Sequence, residues 1–168
     1  MTLLAKILVV SDSVHAGERE DTAGPALAAR LEAAGFEVLE RTVIVDGVTS
    51  VATALRQMSR DFAGLIVTTG GTGFSPRDLT PEGTLDVLER EAPGFAEVMR
   101  AAHRLGPLSR SRSGTVGEAL VVNTPGSRAG AVESLEAVLD LLPHALGLLH
   151  GAKDHQPPDI GGRTATSS

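Results

Sequence analysis

Residues 64–82 read GLIVTTGGTGFSPRDLTPE. A short apolar run bounded by turn residues is the pattern of a strand buried on both faces, so Gly64 to Thr69 is read as a strand. Three glycines in four residues follow it, Gly70, Gly71 and Gly73. Thr80-Pro81-Glu82 then opens a helix, with Thr80 as its cap, Pro81 at the first helical position and Glu82 at the positive end of the helix dipole. Strand, glycine loop and helix in that order form one unit of an α/β sheet. In such sheets ligands sit beyond the carboxyl ends of the strands. The loop also contains Asp78, an anion placed where exposed amides attract anions.

The same alternation extends in both directions. Ile7 to Val10 is a buried first strand ending in Ser11-Asp12-Ser13. A helix follows, capped by Asp21 or Thr22, with Pro25 in its first turn and Gly35 just past its end. Phe36 to Val45 is the second strand, closed by Asp46-Gly47, and Thr49 or Ser50 caps a helix carrying Val51, Leu55, Met58 and Phe62. Beyond the glycine loop, helical spacing continues through Val87-Leu88 and then through Phe95, Val98, Met99 and Ala102. Thr115-Val116 and Ala119 to Val122 flank Gly117-Glu118 as a two-residue hairpin. Asn123-Thr124-Pro125-Gly126-Ser127 leads into a last helix, which Pro143 bends or restarts. The expectation is an α/β fold of three layers, α/β/α, with a mostly parallel, doubly wound sheet and a small β-hairpin. Residues 1–150 are read as one domain and 151–168 as a flexible tail.

Composition removes several function classes. A formal net charge of -6 and 2% aromatic residues argue against nucleic-acid and membrane-surface partners. There is no cysteine, so disulfides, thiolate metal sites and cysteine nucleophiles are excluded. His144, His150 and His155 lack the i, i+4 pairing of a helical metal site. The apolar N-terminal run is too short to span a bilayer and has no signal-peptide cleavage pattern, so the expected location is the cytoplasm.

Four chemically loaded segments follow strand ends: Ser11-Asp12-Ser13, Asp46-Gly47, Gly70 to Gly73 and Asn123 to Ser127. The glycine loop is not a Walker A motif, and Pro76 stands where a dinucleotide fingerprint would need its third glycine. Close backbone approach to phosphate is the better reading than a tight turn alone. The Pro125-Gly126-Ser127 turn repeats the arrangement and suggests a second phosphate position, against the plainer reading of Ser127 as a helix cap. Asp12, Asp46 and Asp78 on the same rim would repel a phosphate by about 4 kcal/mol per pair of charges at 4 Å and an effective dielectric of 20. Mg²⁺ resolves that conflict, because it accepts one or two carboxylates together with phosphate oxygens. Arg110 is the favoured extra cation for an anionic substrate. Arg77, Arg104 and Arg112 are read as solvated surface charges, and His103 as structural or exposed.

Five ordered motifs carry a resemblance: VVSDSVHAG with Asp21-Thr22-Ala23-Gly24-Pro25, TTGGTGFSPRDLTPE, Glu91 to Phe95, Leu108-Ser109-Arg110 with Gly114, and NTPGS. Over about residues 5–150 the chain resembles the MogA/MoaB family of molybdenum-cofactor biosynthesis, which also forms the G domains of gephyrin and its plant counterpart. The resemblance implies a molybdopterin adenylyltransferase that transfers AMP from ATP to the molybdopterin phosphate with Mg²⁺. A non-catalytic molybdopterin-binding paralogue or scaffold is the alternative, and an unrelated nucleotide-binding enzyme a second. The resemblance implies that Asp46 and Asp78 are catalytic and that Gly70, Gly71, Thr72 and Gly73 meet nucleotide or pterin phosphate. Mg²⁺ is assigned to Asp46 and Asp78, directly or through water, on the charge conflict described above. Ser109, Arg110, Pro125, Gly126 and Ser127 fall in pterin-side segments, and Ser11, Asp12, Thr80, Glu82 and Asn123 complete the expected substrate rim. The resemblance further implies a trimer, or a hexamer of two trimers, and a metal-insertion enzyme acting downstream. The second strand ends Val45-Asp46-Gly47 where relatives often have Pro-Asp-Glu, and NTPGS has Thr124 where Leu or Met is frequent.

Overall fold

The structure is a computed structural model that describes residues 1–152 of the 168-residue chain. Of the tail expected from residue 151, residues 153–168 therefore lie outside the described residues, as does His155.

The chain runs β1 (Leu3–Val10), α1 (Asp12–His15), α2 (Ala23–Ala33), β2 (Phe36–Ile44), α3 (Val48–Ser59), β3 (Gly64–Thr69), α4 (Thr80–Leu85), β4 (Arg90–Glu91), α5 (Pro93–Ala101), a 3₁₀ turn (Gly106–Leu108), β5 (Ser113–Val116), β6 (Ala119–Thr124), α6 (Arg128–Glu136) and α7 (Leu142–Leu149). One six-stranded sheet has the order β2-β1-β3-β6-β5-β4. β2, β1, β3 and β6 are mutually parallel, while β5 runs antiparallel to both β6 and β4. The fold is the expected three-layer, doubly wound α/β architecture with a hairpin.

Two apolar clusters cover the two faces. Leu27 and Leu31 of α2, Met99 of α5, Leu135 of α6 and Leu142 and Leu146 of α7 pack with Ile7, Val9, Leu65, Val67, Leu120 and Val122 on one face. Val51, Leu55 and Met58 of α3 pack with Leu8, Val10, Ile66 and Val121 on the other. The alternate residues of each central strand therefore serve opposite layers, which is why β3 and β6 read as unbroken apolar runs.

Several local readings are corrected. β1 begins at Leu3, four residues before the apolar run suggests, because Lys6 breaks the pattern without breaking the strand. Its ammonium lies over the Phe62 ring at 4.4 Å and donates to the Met58 carbonyl at 2.9 Å. The N-cap of α3 is Gly47, at φ 140°, rather than Thr49 or Ser50; Ser50 instead donates its hydroxyl to the carbonyls of Val45 and Gly47. Thr80 is the first helical residue of α4 and not its cap. That helix stops at Leu85, and the helical spacing read through Val87-Leu88 belongs to the chain entering edge strand β4. The hairpin forms as expected: Val116 pairs with Ala119, and Gly117 takes φ 56° between them. Pro143 restarts the chain as α7.

Candidate functional site

The strand order reverses between β1 and β3, since β2 lies on one side of that pair and β6 on the other. A crevice at such a reversal is the expected ligand position of a doubly wound sheet. Here it is a cleft of about 740 Å³ at the carboxyl ends of β1, β3 and β6. Ser11, Asp46, Gly70, Gly71, Thr72, Gly73, Asp78, Ser109, Pro125, Gly126 and Ser127 all line it, so most of the candidates from five separate stretches converge.

The glycines divide by role. Gly70 sits at φ 98°, and a Cβ there would stand 2.2 Å from the Val10 carbonyl oxygen. Its amide donates to the Thr124 carbonyl at 3.1 Å, so it joins strand ends rather than facing a ligand. Gly71, at φ 65°, leaves no room for a Cβ: Thr80 Oγ1 would lie 2.3 Å and the Asp46 carboxylate oxygen Oδ1 2.6 Å from it. At Gly73 the equivalent neighbour is Asp78 Oδ2, at 2.8 Å. Among the described residues, the amides of Gly71, Thr72 and Gly73 donate to no protein acceptor. Both acidic side chains are thus turned onto the loop whose amides are uncommitted.

The carboxylates are not equivalent. Asp46 Oδ1 is buried without a hydrogen-bond partner. Burial, followed by the neighbouring charge of Asp12 and by that of Asp78, raises the Asp46 carboxyl above its ordinary range. Asp78 Oδ2 accepts from the Ser75 amide at 2.9 Å, which fixes its side chain inside the loop. An orphaned buried carboxylate oxygen near a second carboxylate would suit Mg²⁺, and the free amides would suit a phosphate arriving with it. Among the described residues no cluster of three or more His, Asp or Glu forms a metal cage. Such a cage is not needed by an ion that takes most of its ligands from phosphate and water.

Other candidates stand behind the cleft. Thr80 is fully buried and donates its hydroxyl to the Gly70 carbonyl at 2.8 Å, bracing the loop from below. Asn123 is fully buried as well; its amide donates to the hydroxyls of Thr68 at 2.9 Å and Thr84 at 3.0 Å, and its carbonyl accepts from the Arg112 amide. Its polar capacity is spent inside the core. Arg110, the favoured cation, donates to the carbonyls of Gly73 at 2.8 Å and Asp78 at 2.6 Å and pairs with Glu82. It braces the glycine loop, and Glu82 holds it there. Burial draws the Glu82 carboxyl upward, but the Arg110 hydrogen bond, a backbone bond and nearby cations outweigh it and leave the group below its ordinary range.

Asp12 lies just outside the cleft lining, on α1, and Arg77 forms a two-toothed ion pair with it at 3.0 Å for each arm. The reading of Arg77 as a solvated surface charge misses this pair. Arg19, Glu20, Asp21, Thr22, His103 and Arg128 also line the cleft. In the sequence Asp21 and Thr22 read as a helix start and as part of the first family-like motif, not as site residues, and Asp21 does accept from the Gly24 amide at 2.8 Å. His103 and Arg128 carry no signal in the sequence beyond their neighbourhood.

The profile of a family described as a probable molybdopterin binding domain matches residues 6–144. The chain belongs to this family. Within the molybdopterin-binding family it is 35% identical over 181 aligned positions to the molybdopterin adenylyltransferase of Haemophilus influenzae, covering 95% of this chain and 92% of that protein. It is 34% identical over 157 residues to the molybdenum cofactor biosynthesis bifunctional protein of Synechococcus elongatus, covering 91% of this chain but 49% of the relative. The chain thus spans about half the length of that bifunctional relative. The crystal structure of the molybdopterin biosynthesis enzyme MoaB of Thermus thermophilus matches with a TM-score of 0.85 at 42% identity, covering 94% of this chain and 99% of that one. Family members of both MogA and MoaB type therefore surround it.

Proposed function

We propose that this chain is a molybdopterin adenylyltransferase acting in molybdenum-cofactor biosynthesis. A phosphate oxygen of molybdopterin forms a bond to the α-phosphorus of ATP, the α–β phosphoanhydride bond breaks, and diphosphate leaves. The product is adenylylated molybdopterin. The single observation that carries this reading is the unpartnered Asp46 Oδ1 aimed at Gly71, with Asp78 set beside Gly73 in the same loop.

The attacking phosphate is already anionic, so the site needs no strong general base. What it must supply is alignment and stabilisation of charge on the transferred group and leaving diphosphate. The amides of Gly71, Thr72 and Gly73 are placed to receive phosphate oxygens. Ser127, whose Oγ already caps α6 by accepting from the Gly130 amide at 3.1 Å, brings a helix N-terminus and a second anion position to the turn adjoining the glycine loop. Asp46 and Asp78 would hold Mg²⁺, directly or through water, and the ion would neutralise the polyphosphate that those carboxylates otherwise repel. Ser109 lines the cleft and is assigned to the pterin side with Pro125 and Gly126. Assembly as a trimer, or as two stacked trimers, belongs to the same reading and is measured by light scattering.

Incubation of the protein with molybdopterin, ATP and Mg²⁺, followed by mass analysis, should show adenylylated pterin and diphosphate. Asp78→Ala should lose at least a hundredfold in turnover while retaining bound molybdopterin, on the scale seen when charge-stabilising groups are removed. Binding of molybdopterin with no adenylylation by the unsubstituted protein would instead assign it to the non-catalytic branch.

A further inference from the structure

The proposed chemistry depends on where the Asp46 carboxylate points, yet nothing hydrogen-bonds its buried oxygen. Its direction must come from the backbone. Asp46 follows the last residues of β2 and precedes Gly47, whose φ of 140° ends the strand, so the segment has no ladder partner beyond Ile44. Two groups from elsewhere in the chain take over. Asp12 Oδ1 accepts the Asp46 amide at 3.0 Å, and the Arg77 guanidinium donates to the Asp46 carbonyl at 3.1 Å. The same two side chains are joined to each other through both carboxylate oxygens of Asp12, at 3.0 Å each.

From this closed ring we infer that the Asp12–Arg77 ion pair is a backbone clamp that positions Asp46, and that Asp12 and Arg77 are positioning residues rather than ligands of substrate. The inference rests on the adenylyltransferase reading for its catalytic consequence, but its geometry stands without it. An exposed ion pair contributes little to stability, and both partners are largely exposed, with side-chain exposures of 60% for Arg77 and 45% for Asp12. Its three attachments come from α1, the turn after β2 and the glycine loop, so it ties together three segments that no other side-chain ring connects among the described residues. Asp46 and His15 lie within the field of the pair, and Arg77 is the cation that lets Asp12 approach Asp46. A simple surface pair would have no reason to engage both backbone groups of one residue.

The clamp makes a distinctive pattern of predictions. Asp12→Ala and Arg77→Ala should each lower kcat by about tenfold to a hundredfold, the range expected from misplacing a catalytic group by about 1 Å. The KM for ATP should change by less than about twofold, and the double variant should be no slower than the slower single one, because one ring can be broken only once. Asp12→Asn keeps an acceptor for the Asp46 amide and should recover part of the loss. A direct readout is independent of turnover: hydrogen exchange of the Asp46 amide, followed by NMR in the full chain, should accelerate at least tenfold in Asp12→Ala and stay slow in Asp12→Asn. Unchanged Asp46 exchange in Asp12→Ala would overturn the clamp. So would a rise in the KM for ATP confined to the Arg77 variant, which would make Arg77 a phosphate ligand. If the unsubstituted protein adenylylates nothing, the enzyme reading fails, and the exchange measurement still decides the clamp.

Discussion

Asp46, to which the proposed function assigns chemistry, is poorly placed for stability. Its carboxyl is raised by burial and by neighbouring acids, so the folded state binds a proton there more tightly than the unfolded chain does. The penalty is absent below the ordinary carboxyl value of 3.8, grows as pH rises from there, and is complete above the raised folded-state value. Asp46→Asn should therefore raise Tm at neutral pH, by about 1–3 °C given how strongly solvent screens a half-buried group, and the gain should vanish near pH 3. The same substitution should abolish adenylylation, which is the usual exchange of stability against function. Asp12 has the opposite sign: the Arg77 hydrogen bonds hold it below its ordinary range, so its contribution fades as pH falls through that lowered value. At this scale the acidic pair was legible in the sequence, because each aspartate closes a strand or sits in a glycine loop. The partners were not. Arg77 and Asp12 are 65 positions apart, and no local pattern reports such a meeting. Asn123 misled for a different reason: a polar residue at a strand end looks ligand-facing until two buried threonines satisfy its amide.

Among the elements, the strands were easier to read than the helix starts. β3 and the β5–β6 hairpin follow from an apolar run and a Gly-first turn, which are local signals. The cap of α3 escaped because Gly47 offers no side chain to recognise, and Ser50 resembles a cap while bonding backward to the chain before it. The edge strand β4 is two residues long and exposed, so no apolar alternation announces it. Two substitutions test the elements that frame the cleft. Gly70→Ala would place a Cβ against the Val10 carbonyl in a left-handed conformation, and should cost about 2 kcal/mol or more in a denaturant melt. Ser127→Ala removes the α6 cap bond to Gly130, and should cost about 1 kcal/mol with a weaker affinity for the anionic substrate measured by calorimetry.

For the molecule as a whole, the parallel strands gather their carboxyl ends on one rim and the reversal between β1 and β3 opens the cleft there. The alternation of strands and helices was sufficient to anticipate that rim. It could not show how the loops on it divide between phosphate contact and mutual support, because that depends on register across the sheet. The acidic and amide-lined halves of the rim give a whole-protein prediction. ATP alone should leave the melting temperature nearly unchanged, whereas ATP with Mg²⁺ at about 100 times its Kd should raise it by roughly 5–10 °C. Chelation should reverse the shift in a thermal scan.

The bond from the Gly70 amide to the Thr124 carbonyl, joined by that from the Thr69 hydroxyl to the Pro125 carbonyl at 2.7 Å, has a thermodynamic consequence. The glycine loop and the Pro125-Gly126-Ser127 turn are stitched edge to edge. Under the proposed function, a substrate caught by either turn would find the other already in its working place, so little entropy would remain to be lost before the two phosphorus centres meet.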